Sequence, residues 1–239
     1  MSKHALISGA GSGVGQATAL ALVARGWTVS ILGRRADSLN ETISKAGDQA
    51  HKIDAYPCDI GDSTAVTKVV ATIISKHGHV EALVNSAGGN IPRRSLAELS
   101  LSDWKSVLDT NLNGTYYLVS AVLPIMRKQK NGTIVNIVSD AGIRANAKAG
   151  PSYVASKFAV NGLTQSINCE EAKNGIRACG IFPGDINTPL LDKRPVPPPM
   201  EARQYMLGAE DVAACAILAI ELPGRAVVEE LVIRPRSLV

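Results

Sequence analysis

No uninterrupted apolar span in this 239-residue sequence is long enough to cross a bilayer. The chain also enters a glycine-rich turn after only a few apolar residues, too early for the hydrophobic core of a signal peptide. Both absences lead to the expectation of a cytoplasmic protein with no membrane partner. Cysteine is scarce: Cys58, Cys169, Cys179 and Cys215 are scattered without C-x-x-C spacing or paired histidines nearby. That pattern speaks for buried free thiols and against disulfides or metal ligation. The histidines, His4, His51, His77 and His79, lie outside the motif regions, so neither His-based catalysis nor a zinc site has support. Long basic runs and aromatic-basic interleaving are missing too, and with a net charge of only +4 nucleic acid is not an expected partner. There is no internal repeat and no low-complexity tail. With 46% apolar and 19% charged residues, the composition is that of a globular protein, and the length fits one domain, 1–239, with a substantial core.

What is present alternates. Short apolar runs at 5–7, 28–32, 53–56, 82–84, 133–138, 178–182 and 230–233 read as strands, and segments such as 63–76 and 103–128 between them carry helical patterns. Alternation of this kind predicts an α/β fold, a doubly wound parallel sheet of about seven strands with helices on both faces. Ligands of such sheets gather beyond the carboxyl ends of the strands. Gly26, Asp59, Gly61 and Asn131-Gly132 punctuate the layout. The irregular stretch is 185–200, where Pro189, Pro195, Pro197, Pro198 and Pro199 forbid a continuous helix. Too little chain follows it for another domain, which makes a lid or substrate loop the better reading than a linker. Met200, Tyr205, Met206 and Leu207 after the prolines either close over a substrate or face the core.

Two motifs carry chemistry. After the first apolar run comes Ser8-Gly9-Ala10-Gly11-Ser12-Gly13-Val14-Gly15, followed by a stretch apolar enough for a buried helix. Strand, glycine turn and helix form the context of a dinucleotide site: glycines permit a tight turn and close backbone approach, and the helix N-terminus offers free N–H groups to a pyrophosphate. Gly9, Gly13 and Gly15 are spaced G-x-x-x-G-x-G. Far downstream, Tyr153 and Lys157 are one helical turn apart, fourteen residues beyond Ser139. A phenol is a weak acid, with an ordinary pKa of about 10, and a neighbouring ammonium is expected to lower it and so make a proton donor and acceptor. Ser139 ends an apolar run, placing its hydroxyl at a strand tip, either as a turn residue or as a donor to a substrate oxygen.

These motifs, with Asn85-Ser86-Ala87-Gly88 between them, resemble the short-chain dehydrogenase/reductases, and the resemblance runs from residue 3 to about 235. It implies a Rossmann-like fold, catalysis by Asn111, Ser139, Tyr153 and Lys157, and transfer of a hydride between a nicotinamide and a carbonyl or secondary alcohol. By resemblance, the Asn111 carbonyl holds a water linked to Lys157, which would explain an asparagine in mid-helix where its propensity is poor. Lys157 would also hold the nicotinamide ribose. Cofactor contacts are implied for Gly9, Ser12, Gly13, Val14, Gly15, Asn85, Ala87 and Gly88, for Asp59 and Ile60 beside the adenine, and for Pro183, Gly184, Ile186 and Thr188 around the carboxamide. Asp59 also suits a turn cap, and Thr188-Pro189 simple loop chemistry. Ser139 to Tyr153 is one residue longer than the common family spacing, and Asp140 adds an uncommon charge. The resemblance further implies a homodimer or homotetramer built on 103–128 and 153–173.

Charge speaks to the choice of cofactor. An acidic residue ending the second strand would accept from a ribose 2′-hydroxyl, whereas a 2′-phosphate needs cations. Here the strand ends in Gly33-Arg34-Arg35. NADP(H) is therefore the expected cofactor, Arg34 the first contact and Arg35 the second, although a solvated pair gives the same sequence and Ser12 adds no cation. The substrate is expected to be a small carbonyl compound, with 3-oxoacyl thioesters among the candidates. Arg93, Arg94, Arg144, Lys148, Lys193 and Arg194 either favour an anion or are solvated. An NAD-linked sugar or polyol dehydrogenase and a non-catalytic dinucleotide sensor are the alternatives.

Overall fold

The computed structural model describes residues 2–236. In chain order the elements are β1 (His4–Ser8), α1 (Gly13–Ala24), β2 (Thr28–Gly33), α2 (Ala36–Lys45), β3 (Ile53–Pro57), α3 (Ser63–His77) and β4 (Ala82–Asn85). They continue with α4 (Leu101–Leu108), α5 (Gly114–Gln129), β5 (Gly132–Ile137), α6 (Pro151–Glu171), β6 (Ile176–Pro183), α7 (Met200–Arg203), α8 (Ala209–Glu221) and β7 (Glu230–Ile233). The seven strands form one sheet in the order β3-β2-β1-β4-β5-β6-β7, every adjacent pair parallel. The expected doubly wound α/β sheet is the fold observed.

The central strands read as continuous apolar runs because helices cover both faces. Along β1, Ala5 and Ile7 join one core with Leu22 and Val23 of α1 and Val212 and Ala216 of α8. Leu6 between them faces the other core, with Val70 and Ile73 of α3, Leu118 and Val122 of α5 and Ile167 of α6. The period of two thus feeds both layers, and each large side chain removed from water contributes about 1.5–3 kcal/mol. Helix ends are set locally: Asp62 accepts from the N–H groups of Thr64 and Ala65 at the start of α3, and Gly78, at φ 77°, stops it.

Two expectations need correction. The segment 103–128 is not one regular helix, since residues Asp109–Asn113 form a π turn between α4 and α5, with the Gly114 N–H reaching the Asp109 carbonyl. Nor are all the thiols buried: Cys58 and Cys179 are, Cys215 is half-buried, and Cys169 is exposed on α6. Among the described residues no helix is long and apolar enough to cross a membrane.

At the amino ends of the strands the distant histidines meet. His4 is fully buried, its ring stacked 3.8 Å from that of His77 and 6.2 Å from that of His79. Desolvation, helped by His77, His79 and Lys76 and opposed by Asp54, pushes the His4 pKa from 6.5 down to about 3. Between these values the unfolded chain takes up a proton that the folded chain refuses, so stability falls as pH drops below about 6.5, by about 1.4 kcal/mol per unit within the window. Urea midpoints at pH 7 and pH 5 test this: exchanging His4→Phe is expected to shrink the acid-induced loss by about 2 kcal/mol. An unchanged loss would refute the assignment.

Candidate active site

The chain winds outward from β1 to β3 on one side and from β4 to β7 on the other, so β1 and β4 border the switch point where a crevice opens at the carboxyl ends. Gly9 leaves β1 there at φ 68°, and a Cβ on it would stand 2.6 Å from the Ala87 backbone beyond β4. The Ser8 hydroxyl accepts from the Ala87 N–H at 3.2 Å, locking the two strand ends together. A Cβ on Gly13 would meet the Thr188 methyl group at 3.2 Å, so the loop after β6 folds over the glycine turn. These close approaches leave a cleft of ≈ 740 Å³ above the sheet.

Most of the sequence-derived residues line it: Gly9, Ser12, Gly13 and Val14 from the turn, Arg34 from the end of β2, Asp59 and Ile60 after β3, and Ala87 and Gly88 after β4. Ser139 after β5, Tyr153 and Lys157 on α6, and Pro183, Gly184, Ile186 and Thr188 complete it. Four fall outside the lining. Gly15 serves packing, since its Cβ would lie 2.6 Å from the Gly9 carbonyl oxygen. Arg35 precedes α2 as its exposed N-cap. Asn85 is buried, donating at 2.8 Å to Asn136 on the neighbouring strand. Asn111 lies under the floor of the cleft in the π turn, exchanging bonds with the Gly89 backbone and donating to Ser156 at 3.1 Å. Its carbonyl accepts from the Thr115 hydroxyl at 2.8 Å. Asn111 therefore fastens the loop after β4 to the helix that carries Tyr153 and Lys157.

The loop expectations change in detail. Pro189, Leu190, Leu191 and Arg194 border the cleft, not Met200, Tyr205, Met206 or Leu207. Leu207 belongs to the core and pairs with Ile186. Of the loop cations, Arg94, Lys148 and Arg194 line the cleft and Arg144 a smaller adjoining one of ≈ 290 Å³, while Arg93 and Lys193 are exposed outside both. Asn90, which the sequence reading missed, also lines the cleft and donates to the Ala149 carbonyl at 2.8 Å. A lone Asn after a glycine pair carries no signal of that contact.

Lys157 is buried and donates to the Ile137 carbonyl at 2.8 Å, with its Nζ 5.6 Å from the centroid of the Tyr153 ring. Burial pushes its pKa down to about 8. The Ser139 hydroxyl acts on the Tyr153 phenol to favour its ionised form. The Ser139 hydroxyl also donates to Asp140 at 3.1 Å. The expected acidified phenol is not what the chain presents: desolvation raises Tyr153 above its ordinary value, Asp140 adds to the rise, and Ser139, Arg194 and Arg94 offset it only in part.

Residues 3–196 match the family of short chain dehydrogenases. The chain belongs to that family. As a short chain dehydrogenase it is an oxidoreductase acting on CH–OH groups. A 3-oxoacyl-[acyl-carrier-protein] reductase of Thermotoga maritima is 36% identical over 194 residues, covering 81% of this chain and 78% of the relative. An oxidoreductase of Staphylococcus haemolyticus is 35% identical over 234 residues, 97% and 96% of the two chains. Among solved structures, the closed form of a serine dehydrogenase complexed with NADP⁺ superposes with a TM-score of 0.89 at 26% identity, over 98% of this chain and 95% of that one.

Proposed function

We propose that the protein reduces a carbonyl compound to a secondary alcohol with NADPH as the hydride donor. The observation that carries the reading is that Ser139, Tyr153 and Lys157 line one cleft together with the glycine turn after β1. A phenol that keeps its proton is the form that carbonyl reduction consumes, because negative charge develops on the oxygen and needs a proton from a positioned acid. Tyr153 gives that proton, Ser139 donates a second hydrogen bond to the same oxygen, and Lys157 stands one helical turn on with its Nζ 5.6 Å from the Tyr153 ring. Asn111 keeps α6 in register with the loop after β4 and so positions both.

The glycine cradle suits a dinucleotide: a side chain at Gly9 would collide with the Ala87 backbone, and Gly13 and Val14 at the N-terminus of α1 line the cleft. When bound, the nicotinamide supplies the hydride. Arg34, exposed on the cleft wall, favours NADPH over NADH, a preference supported by the NADP⁺ in the serine dehydrogenase structure. The likeness to the Thermotoga reductase makes 3-oxoacyl thioesters a first substrate class to try. Assembly into two or four copies through 103–128 and 153–173, in the cytoplasm, belongs to the same reading. A panel of ketones, 3-oxoacyl thioesters, quinones and sugars, followed by the absorbance of NADPH, tests it. Oxidation of NADPH with at least one class is expected; tight NADPH binding with no turnover on any class would leave the sensor reading instead.

A further inference from the structure

We propose that Arg94 is the anion-recognising residue of the cleft and that the carbonyl substrate carries a carboxylate. The proposal rests on the reductase reading for the identity of the site, and on Arg94 itself for the charge of its ligand.

Arg94 is 6% exposed and lines the cleft. Its guanidinium donates to three main-chain carbonyls: from Nε to Ile91 at 2.5 Å, from Nη2 to Lys193 at 2.5 Å, and from Nη1 to Lys148 at a long 3.4 Å. None of these acceptors carries a charge, and among the described residues no carboxylate lies within ion-pair distance of it. Two arginines of the segment between β6 and α8 are neutralised, Arg194 by Asp185 and Arg203 by Asp192. A buried cation without a counter-ion is unfavourable, and it is normally paired. Desolvation and the neighbouring Arg194 both act against its charge.

A half-buried guanidinium elsewhere provides the contrast. Arg177 also lacks a carboxylate, yet all five of its N–H donors have acceptors, in Thr133 and in the carbonyls of Ile220, Leu222, Pro223 and Ala226. It caps the end of α8 and is structurally complete. Arg94 has only three acceptors for five donors, which leaves one N–H on each terminal nitrogen. Two free donors on a cation that borders the cleft suit an anion, and a carboxylate would supply charge-assisted acceptors.

The position is built by its surroundings. Gly150, at φ 77° just before α6, would put a Cβ 2.6 Å from the Arg94 carbonyl oxygen and 2.8 Å from its Cβ. Asn90 ties the same two loops together through Ala149. Arg94 is close enough to Tyr153 to favour the ionised phenol. Arg94 and Tyr153 line the same cleft, so a carboxylate held by Arg94 shares it with the hydroxyl that serves the carbonyl. The cleft as a whole agrees in sign: Arg34, Arg94, Lys148, Lys157 and Arg194 line it against Asp59, Asp140 and Asp185.

Acetoacetate and methyl acetoacetate present one ketone with and without a negative charge, and the comparison tests the proposal. The wild-type protein is expected to prefer the acid, in kcat/KM and in calorimetric binding at saturating NADP⁺. Arg94→Met is expected to lower kcat/KM for the acid about 100-fold more than for the ester, as loss of a charge-assisted pair implies. Arg94→Lys, which keeps the charge and loses the fork, is expected to restore part of the preference. Equal losses on acid and ester would overturn the proposal and make Arg94 a clamp between loops. So would a wild-type protein indifferent to the charge, or an Arg94→Met variant whose main defect is weaker NADPH binding. If the acid binds through Arg94 but neither compound is reduced, the reductase reading fails while the anion site stands; if the ester is reduced and the acid is not preferred, the reverse holds.

Discussion

Replacing Tyr153 with Phe is expected to lower carbonyl reduction by about 10³-fold while leaving NADPH affinity within about threefold. The substitution keeps the ring against which Lys157 stands at 5.6 Å and removes only the hydroxyl. No cavity is opened, so the melting temperature is expected to stay within a few degrees. Fluorescence titration with NADPH and initial rates at saturating cofactor separate the two effects. A variant with undiminished turnover would remove the phenol from the chemistry. Loss of cofactor binding together with turnover would assign Tyr153 to the cradle instead.

Arg34→Asp is expected to change the ratio of kcat/KM for NADPH and NADH by about 10³-fold in favour of NADH. A charge-assisted hydrogen bond to a phosphate contributes about 1.5–3 kcal/mol, and an added carboxylate opposes the phosphate by a further few. Each 1.4 kcal/mol is a factor of ten. The side chain leaves the end of β2 where the backbone is tightly packed, since a Cβ on Gly33 would meet Leu39 at 3.2 Å, and it borders the cleft. Arg35, one residue on, lies outside the lining and interacts electrostatically with Glu41 of α2. Arg35→Ala is therefore expected to leave the ratio within about threefold, a contrast that two arginines adjacent in sequence do not announce. A wild-type protein that uses both cofactors equally, or an Arg34→Asp variant with an unaltered ratio, would refute the 2′-phosphate contact.

The strands were legible because a buried parallel strand needs apolar residues on both faces, and the predicted run 82–84 lies within the observed Ala82–Asn85. The glycine turn was legible because few other residues tolerate φ 68° with a backbone 2.6 Å from the Cβ position. The roles of single polar residues were harder to read. Asn111 drew notice as a misfit in a helix, but the π turn that accommodates it depends on Gly89 and Ser156, partners 22 and 45 residues away. Asn85 and Gly15, which look like cofactor contacts in a motif, also fasten the sheet and its first helix, because the atoms they meet come from other strands and turns.

Local chemistry written along the chain thus determined the parallel sheet, the cradle at its switch point and the family to which the protein belongs. Only tertiary structure decided which charges are buried. Arg93 and Arg94 are neighbours in sequence, yet one is solvated and the other is held by carbonyls from three loops. Tyr153 was expected to become more acidic and is made less so. Desolvation and unpaired charge are sums over everything that packs around a group, and what packs there comes from distant parts of the chain.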